Sequence, residues 1–291
     1  MKGKIIKQQK ELYYVDTGTK VYKSKARGVF RKKNIKPIVG DNANIQILDE
    51  DTAYITDILE RKNRLKRPEV SNLDQLFVFV TIKSPPLNLY NLDKYLSMCE
   101  YKNIDVVLIL TKIDLYTEDE IEKFKNIYTS TGYKIIEVDN FNNFPKEEIF
   151  DALKGKSTAF SGASGVGKST MINNLIKDIK LETGSISKKS LRGKNTTRHT
   201  ELFKVMDNSF VFDTPGFDSF DFDFIEDERE LKNYFIEFKE HNNCKYSNCN
   251  HIKEPGCNVK DAVEENLIAK TRYNNYVVLF NELEKRRKTK W

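Results

Sequence analysis

Between a short apolar stretch, Thr158 to Phe160, and a helical one that starts at Met171 runs the segment Gly162, Ala163, Ser164, Gly165, Val166, Gly167, Lys168, Ser169, Thr170. Glycine at its first and sixth positions followed by Lys-Ser is a complete Walker A loop in the context that it needs, after a strand and before a helix. The glycines let backbone N–H groups wrap a β-phosphate, and the helix N-terminus favours the negative charge. Lys168 bridges the β- and γ-phosphates while the Ser169 hydroxyl ligates Mg²⁺. Binding of a nucleoside triphosphate with magnesium follows. Further along, Asp213-Thr-Pro-Gly216 closes a second apolar strand. Asp213 can reach Mg²⁺ through water, and the Gly216 amide can reach the γ-phosphate. Alone, such a tetrapeptide is an ordinary turn; paired with the loop, it reads as a γ-phosphate sensor.

A second chemistry is carried by Cys244, Cys249, His251 and Cys257, three thiols and an imidazole within 14 residues. Zn²⁺ takes four such ligands tetrahedrally, and a closed Cys₃His set leaves no open position for catalysis. One structural zinc ion is the expected occupant. Cys-x-x-Cys is absent, which disfavours a redox role. Cys99 reads as a core residue and His241 as a surface one, with a stray ligand as its alternative.

Thr111, Lys112, Ile113 and Asp114 close the apolar run Val106 to Leu110. This tetrapeptide resembles the Asn-Lys-x-Asp element by which GTPases read guanine. Asp114 would accept both the ring N1–H and the exocyclic amine, and the Lys112 stem would pack over the base. Such a site discriminates by roughly 10⁴, because the wrong base leaves the carboxylate unpaired. The competing reading is a helix N-cap aspartate, and Thr111 stands where Asn is commonest. Order is informative: base reading at 111 to 114 precedes the phosphate loop, and the sensor comes last, whereas in a conventional GTPase the phosphate loop comes first. A doubly wound sheet carries its ligand loops at the carboxyl ends of its strands, so a moved chain break leaves the site intact. The domain therefore reads as circularly permuted.

The elements that must position these residues are legible in the patterning. From Gly3 to about Ile58, short alternating stretches separated by turn signals predict a small barrel, with Asp16-Thr-Gly18-Thr as its clearest hairpin. After Pro68, buried strands alternate with helical stretches (Leu76 to Val80, Leu89 to Lys102, Val106 to Leu110, Glu118 to Thr131, Ile135 to Val138), the mark of a parallel α/β sheet. An acidic, Phe-rich stretch, Phe217 to Glu230, leads to the Cys/His cluster and a terminal amphipathic helix. Domain limits of 1–67, 68–222 and 223–291 are expected.

The chain has 291 residues and a net charge of +6. Residues 1–70 hold 17 Lys and Arg against 9 Asp and Glu, so the positive field belongs to the barrel. Eight basic residues and no acidic one lie between Lys20 and Lys36, interleaved with Tyr22 and Phe30. Either this is a solvated face, or it is a nucleic-acid surface with stacking aromatics. The longest purely apolar runs are five residues, too short to span a bilayer. No apolar signal region follows the N-terminal lysines, so a cytoplasmic address and no membrane partner are expected.

Taken together, the chain resembles the RsgA family, the ribosome small subunit-dependent, circularly permuted GTPases. The resemblance covers essentially the whole chain. It extends to Gly28-Val-Phe-Arg31, Pro37-Ile-Val-Gly-Asp41, Arg67-Pro68, Asn72-Leu-Asp-Gln75, Gly193-Lys-Asn-Thr-Thr197, Glu254-Pro-Gly-Cys257 and Arg272-Tyr273. It implies a multidomain α/β protein: an N-terminal OB-fold, a circularly permuted P-loop GTPase domain and a C-terminal zinc-binding helical domain. It also implies GTP hydrolysis to GDP and, as partner, the small ribosomal subunit with its rRNA, in late maturation; a monomer is expected. Thr196 or Thr197 would join Lys168, Ser169, Asp213 and Gly216 around phosphate and Mg²⁺. The family usually has His before its Thr-Thr pair, where this chain has Asn195, and Phe217 stands where Ras-like enzymes carry the water-positioning Gln. Intrinsic hydrolysis should be slow. Two rival readings are a nucleotide-gated RNA-binding switch with negligible catalysis, and an ATPase or kinase should Asp114 merely cap a helix.

Overall fold

The computed structural model describes residues 1–28, 30, 35–66, 68–139, 141, 142, 144–183, 200–212 and 225–289, the side chains of 176–183 excepted. Asn195, Thr196, Thr197, Asp213, Gly216, Phe217 and the run Arg31 to Lys33 lie outside the described residues. The chain divides into two compact units. One holds Met1–Val78, Asn140–Gly162 and Gly167–Asp218, the other Phe79–Asp139, Ala163–Val166 and Ser219–Trp291.

In the first unit, β1 (Lys2–Gln9), β2 (Leu12–Asp16), β3 (Val21–Ala26), β4 (Asn42–Ile47) and β5 (Thr52–Ile58) close a barrel in the order β1-β2-β3-β5-β4. All neighbours are antiparallel except β3 and β5. This is the small barrel that the alternation predicts and, with its five strands, the OB-type barrel that the resemblance implies. Period-two side chains Ile5, Val15, Ala43, Ile45, Ala53 and Ile55 fill its interior. The expected hairpin joins β2 to β3: Gly18 takes φ +90°, and its amide donates to Asp16 Oδ1 at 2.7 Å. Phe30, read as a stacking aromatic, is buried in the barrel core, and Tyr22, read likewise, is half-buried and packs against the same cluster from the side of β3 that carries buried Ser24.

Beyond the barrel, β6 (Arg64–Lys66) and β7 (Glu69–Ser71) form a short hairpin. It is fastened to the barrel through Asp41, fully buried, whose carboxylate accepts from Arg61 Nε and Nη2 at 2.6 and 2.8 Å and from Ser71 Oγ at 2.6 Å. That shared carboxylate gives Pro37-Ile-Val-Gly-Asp41 its structural role.

The central sheet consists of β8 (Gln75–Val80), β9 (Asp105–Thr111), β10 (Lys134–Val138), β11 (Ser157–Ser161), β12 (Leu202–Met206) and β13 (Ser209–Phe212), in the order β10-β9-β8-β11-β13-β12. The β9–β10, β8–β11 and β11–β13 pairs are parallel, while β12 runs antiparallel to β13 at the edge. Every residue of β8 and β11 is buried, as strands of a covered parallel sheet must be. The crossover helices are α1 (Leu89–Tyr101), α2 (Glu118–Tyr128), α3 (Lys146–Leu153) and α4 (Lys168–Thr183). Asn88 caps α1, and Thr117 with Glu120 forms a capping box on α2.

In the second unit, two 3₁₀ stretches (Glu228–Tyr234, Ile236–His241) precede α5 (Asn258–Glu264) and α6 (Lys270–Thr289). Phe235 and Phe238 each meet Tyr276 edge-on in its C-terminal core. Arg272, 1% exposed, donates from Nε and Nη2 to Glu237 at 2.8 Å each and from Nη1 to Asp93 at 2.7 Å, binding α6 to α1. Among the described residues, no helix is long and apolar enough to cross a membrane.

Candidate functional site

The phosphate-type loop leaves β11 with Ser161 buried and makes its turns at glycines. Gly162, Gly165 and Gly167 take φ of +146°, +81° and +97°, values that side chains resist. Lys168 Nζ donates to the Gly162 carbonyl, folding the lysine back over the loop. At the start of α4, Met171 N–H donates to the Gly167 carbonyl at 3.0 Å, so the loop runs directly into a helix N-terminus, the end of a helix that favours an anion. Val166 and Met171 are buried anchors, whereas Ala163, Ser164, Gly165 and Ser169 are exposed.

At the end of β9, Thr111 is fully buried and Lys112 turns the chain through a left-handed conformation, φ 59° and ψ 38°. Ile113 and Asp114 follow in a single 3₁₀ turn, with the Asp114 carboxylate exposed. Asp114 caps no helix: the turn is capped by Lys112 without a side-chain bond, and α2 takes its cap from Thr117. The simple capping explanation for this aspartate is thereby removed. Lys112 Nζ donates to the Ser84 carbonyl at 2.8 Å. The Thr111 hydroxyl donates to the Val166 carbonyl at 2.5 Å, so the strand end bearing Asp114 holds the phosphate-type loop directly. Sequence reasoning gave Thr111 only as the first residue of a base-reading motif. β9 and β10 end in register, Thr111 beside Val138.

The four predicted metal ligands come together. The donor atoms of Cys244, Cys249, His251 and Cys257 all lie within 4.8 Å of one another. Cys244 Sγ is 3.5 Å from His251 Nδ1 and 3.9 Å from Cys257 Sγ, and His251 Nδ1 is 3.3 Å from Cys257 Sγ. A tetrahedron built on metal–sulfur bonds of about 2.3 Å has edges of about 3.8 Å, so these separations suit a four-coordinate ion. Burial, with Lys232 nearby, lowers the His251 imidazole to about 4, keeping it in the neutral form that ligates. His241 is outside the cluster and Cys99 is buried in α1, both as read.

The support of this cluster is what sequence reasoning missed. Glu254 accepts the backbone amides of Asn250, Ile252 and Lys253 at 2.9 to 3.0 Å and so shapes the ligand loop. From α6, Tyr273 and Tyr276 donate to the carbonyls of His251 and Asn250 at 2.8 and 2.6 Å. Gly256 takes φ +63°, where a Cβ would lie 3.1 Å from Lys245 Cβ. The available signal was the run Glu254-Pro-Gly-Cys257, whose acid accepts from the loop's own amides.

A Walker-type loop on a permuted sheet, a closed OB-type barrel before it and a Cys₃His cluster after it define a circularly permuted P-loop GTPase of several domains. The RsgA GTPase family model matches residues 58–223, and the RsgA N-terminal domain model residues 2–55. The chain is 41% identical over 290 residues to the small ribosomal subunit biogenesis GTPase RsgA of Alkaliphilus metalliredigens, covering 99% of each. It is 44% identical to that of Clostridium perfringens over 292 residues, again covering 99% of each. Among solved structures, YjeQ from Thermotoga maritima is 34% identical with a TM-score of 0.81, covering 97% of this chain and 98% of that one. YloQ, titled a circularly permuted GTPase, is 34% identical with a TM-score of 0.82, covering 98% and 95%. The chain belongs to the RsgA GTPase family, enzymes that hydrolyse GTP.

Proposed function

We propose that this GTPase is an assembly factor of the small ribosomal subunit, binding its rRNA late in maturation and hydrolysing GTP faster when the subunit is bound. The observation that carries this reading is end-to-end similarity, through barrel, permuted sheet and Cys₃His cluster alike, to relatives described as small ribosomal subunit biogenesis GTPases. Domain limits of 1–67, 68–222 and 223–291 suit the three tasks of RNA binding, hydrolysis and docking.

In this reading the backbone from Gly162 to Thr170 cradles the phosphates and Lys168 spans β and γ. Ser169 and Asp213, with Thr196 or Thr197, would hold Mg²⁺, which offsets the charge that develops between the phosphates. The Gly216 amide marks the γ-phosphate. Asp114 selects guanine, while Thr111 and Ile113 fix its strand end and Lys112 covers the base. Cys244, Cys249, His251 and Cys257 hold one structural zinc ion. The protein works as a monomer in the cytoplasm, and hydrolysis releases it from the subunit.

Multiple-turnover phosphate release from GTP, measured with and without purified small subunits, tests the proposal. Slow release by the protein alone and a large acceleration by subunits are expected. Equal rates in both conditions would overturn the assembly-factor reading.

A further inference from the structure

The barrel uses its outer surface unevenly. β1 faces strands of its own unit: Lys4 donates to Ser157 Oγ at 2.6 Å and sits 5.3 Å from the centre of the Phe210 ring, and Lys7 pairs with Glu201 at 2.8 Å. A bulge between Ile5 and Lys7 re-aims that lysine. At the β2–β3 turn, Lys204 Nζ donates to the Gly18 carbonyl at 3.2 Å. The β1 side is therefore occupied, whereas on the outer side of β3, β5 and β4 the residues Lys23, Lys25, Arg27, Tyr54 and Gln46 are exposed.

Tyr54 is the unusual member of this face. Tyr13 of β2 goes into the barrel core, whereas Tyr54 is 37% exposed. Register sets its surroundings: it pairs with Lys25 of β3 on one side and Gln46 of β4 on the other. The Arg27 guanidinium lies 6.0 Å from the ring centre and is held by a hydrogen bond to Gln46 Oε1. Asp57, the one acid of β5, sits beyond a bulge opposite Asn44. A partly exposed ring with an arginine over it and a lysine and an amide beside it is an arrangement that takes a base by stacking, on the ring or on the guanidinium above it, and its phosphates by charge. Cations alone would serve a duplex equally well. The exposed ring would not, because paired bases show no free face to it.

We propose that the outer face of β3, β5 and β4 binds an unpaired RNA segment, one base stacking on Tyr54 with flanking phosphates on Lys23, Lys25 and Arg27. This rests on the rRNA-binding reading and deepens it by naming the face and the form of RNA.

The test is fluorescence anisotropy of the full-length protein with labelled oligouridine and, separately, a blunt RNA duplex, across a salt series. Stacking of one base is worth roughly fivefold to 150-fold in affinity. Tyr54→Ala should therefore weaken oligouridine binding about tenfold, leave its salt slope unchanged and spare the duplex. Tyr54→Phe should restore binding, and Lys25→Ala should reduce the single-strand salt slope by about 0.7. Unchanged oligouridine affinity in Tyr54→Ala, equal losses for both RNAs, or no oligouridine binding by the parent would each overturn the proposal. Subunit-stimulated hydrolysis by the same parent sample separates the two readings: stimulation without oligouridine binding removes only the stacking face, and absent stimulation removes the assembly-factor reading.

Discussion

The Thr111 hydroxyl donates to the Val166 carbonyl at 2.5 Å, with both residues buried. One end of this bond is the residue that begins the Thr111 to Asp114 motif; the other immediately precedes Gly167 and Lys168. Displacing the strand end thus displaces Val166, so in the proposed reading base selection and phosphate binding share a support. Because a hydroxyl is short and β9 is buried from Val106 onward, little slack is available to absorb a change.

Replacing Thr111 by Val keeps the shape but leaves the Val166 carbonyl without its donor, at a cost of about 1–3 kcal/mol. Affinity for GDP should fall roughly tenfold, and Thr111→Ser should retain it. Titration with a fluorescent guanine nucleotide reads both; equal affinity in Thr111→Val would mean that the glycines alone hold the loop.

Asp114→Asn should move base preference from guanine toward xanthine, since the Asn NH₂ donor then faces the position where guanine carries its exocyclic amine and xanthine a carbonyl acceptor. Competition by GDP, XDP and ADP measures it. Unmutated protein that binds ADP as tightly as GDP would contradict the guanine assignment. In the same preparation, Lys168→Ala should abolish turnover, because no other group of the loop carries a charge to offset that of the transition state.

Much of this was legible in residue order. Glycine, lysine and cysteine spacing names chemistry that few alternatives satisfy, so the loop and the Cys₃His cluster could be read directly, as could the continuous apolar strands β8 and β9. The barrel was harder. Its strands are short, and alternation does not say which side of Tyr22 or Tyr54 faces in; closure and register decide that, and they put Tyr22 in and Tyr54 out. The eight-residue α3 escaped notice because Lys146 to Leu153 buries only Ile149 and Leu153, too few for a helical period. Long-range fasteners such as Arg272 to Asp93 leave no local pattern at all.

Metal analysis of protein purified without chelator should find one zinc per chain, and Cys249→Ala should lose it. Glu254→Ala should weaken retention under chelator challenge, since the three amides that shape the ligand loop lose their acceptor. Zinc-free native protein, or full zinc in Cys249→Ala, would count against the assignment.

Arg272→Met should be severely destabilising. It would leave Asp93 and Glu237, 1% and 3% exposed, without their cation, and breaking a buried ion pair from one side costs about 3–5 kcal/mol. Burial already raises the Asp93 carboxyl above the usual range despite Arg272, so the variant should recover part of its loss at low pH, where the orphaned acids protonate. Urea unfolding at neutral and acidic pH measures this. A loss under about 1 kcal/mol would mean that water reaches the network.

Gly40 tests whether the barrel is fastened to the β6–β7 hairpin as tightly as the geometry implies. Its φ is +96°, and a Cβ there would lie 2.0 Å from the Ser71 carbonyl oxygen and 2.9 Å from its carbon. Neither partner can yield easily. Gly40 N–H donates to Ile5 in the barrel core at 2.8 Å, Asn72 Nδ2 donates to the Gly40 carbonyl at 3.0 Å, and Ser71 is held to Asp41 by its side chain. Gly40→Ala must therefore strain the backbone and push Ser71 away, loosening the Asp41–Arg61 fork; a loss of more than about 2 kcal/mol is expected. Gly28, where an added Cβ would meet nothing within 4 Å, is the control, and Gly28→Ala should leave stability unchanged or slightly raised. If the two variants unfold at the same urea concentration, close approach to Ser71 is not what requires glycine at position 40.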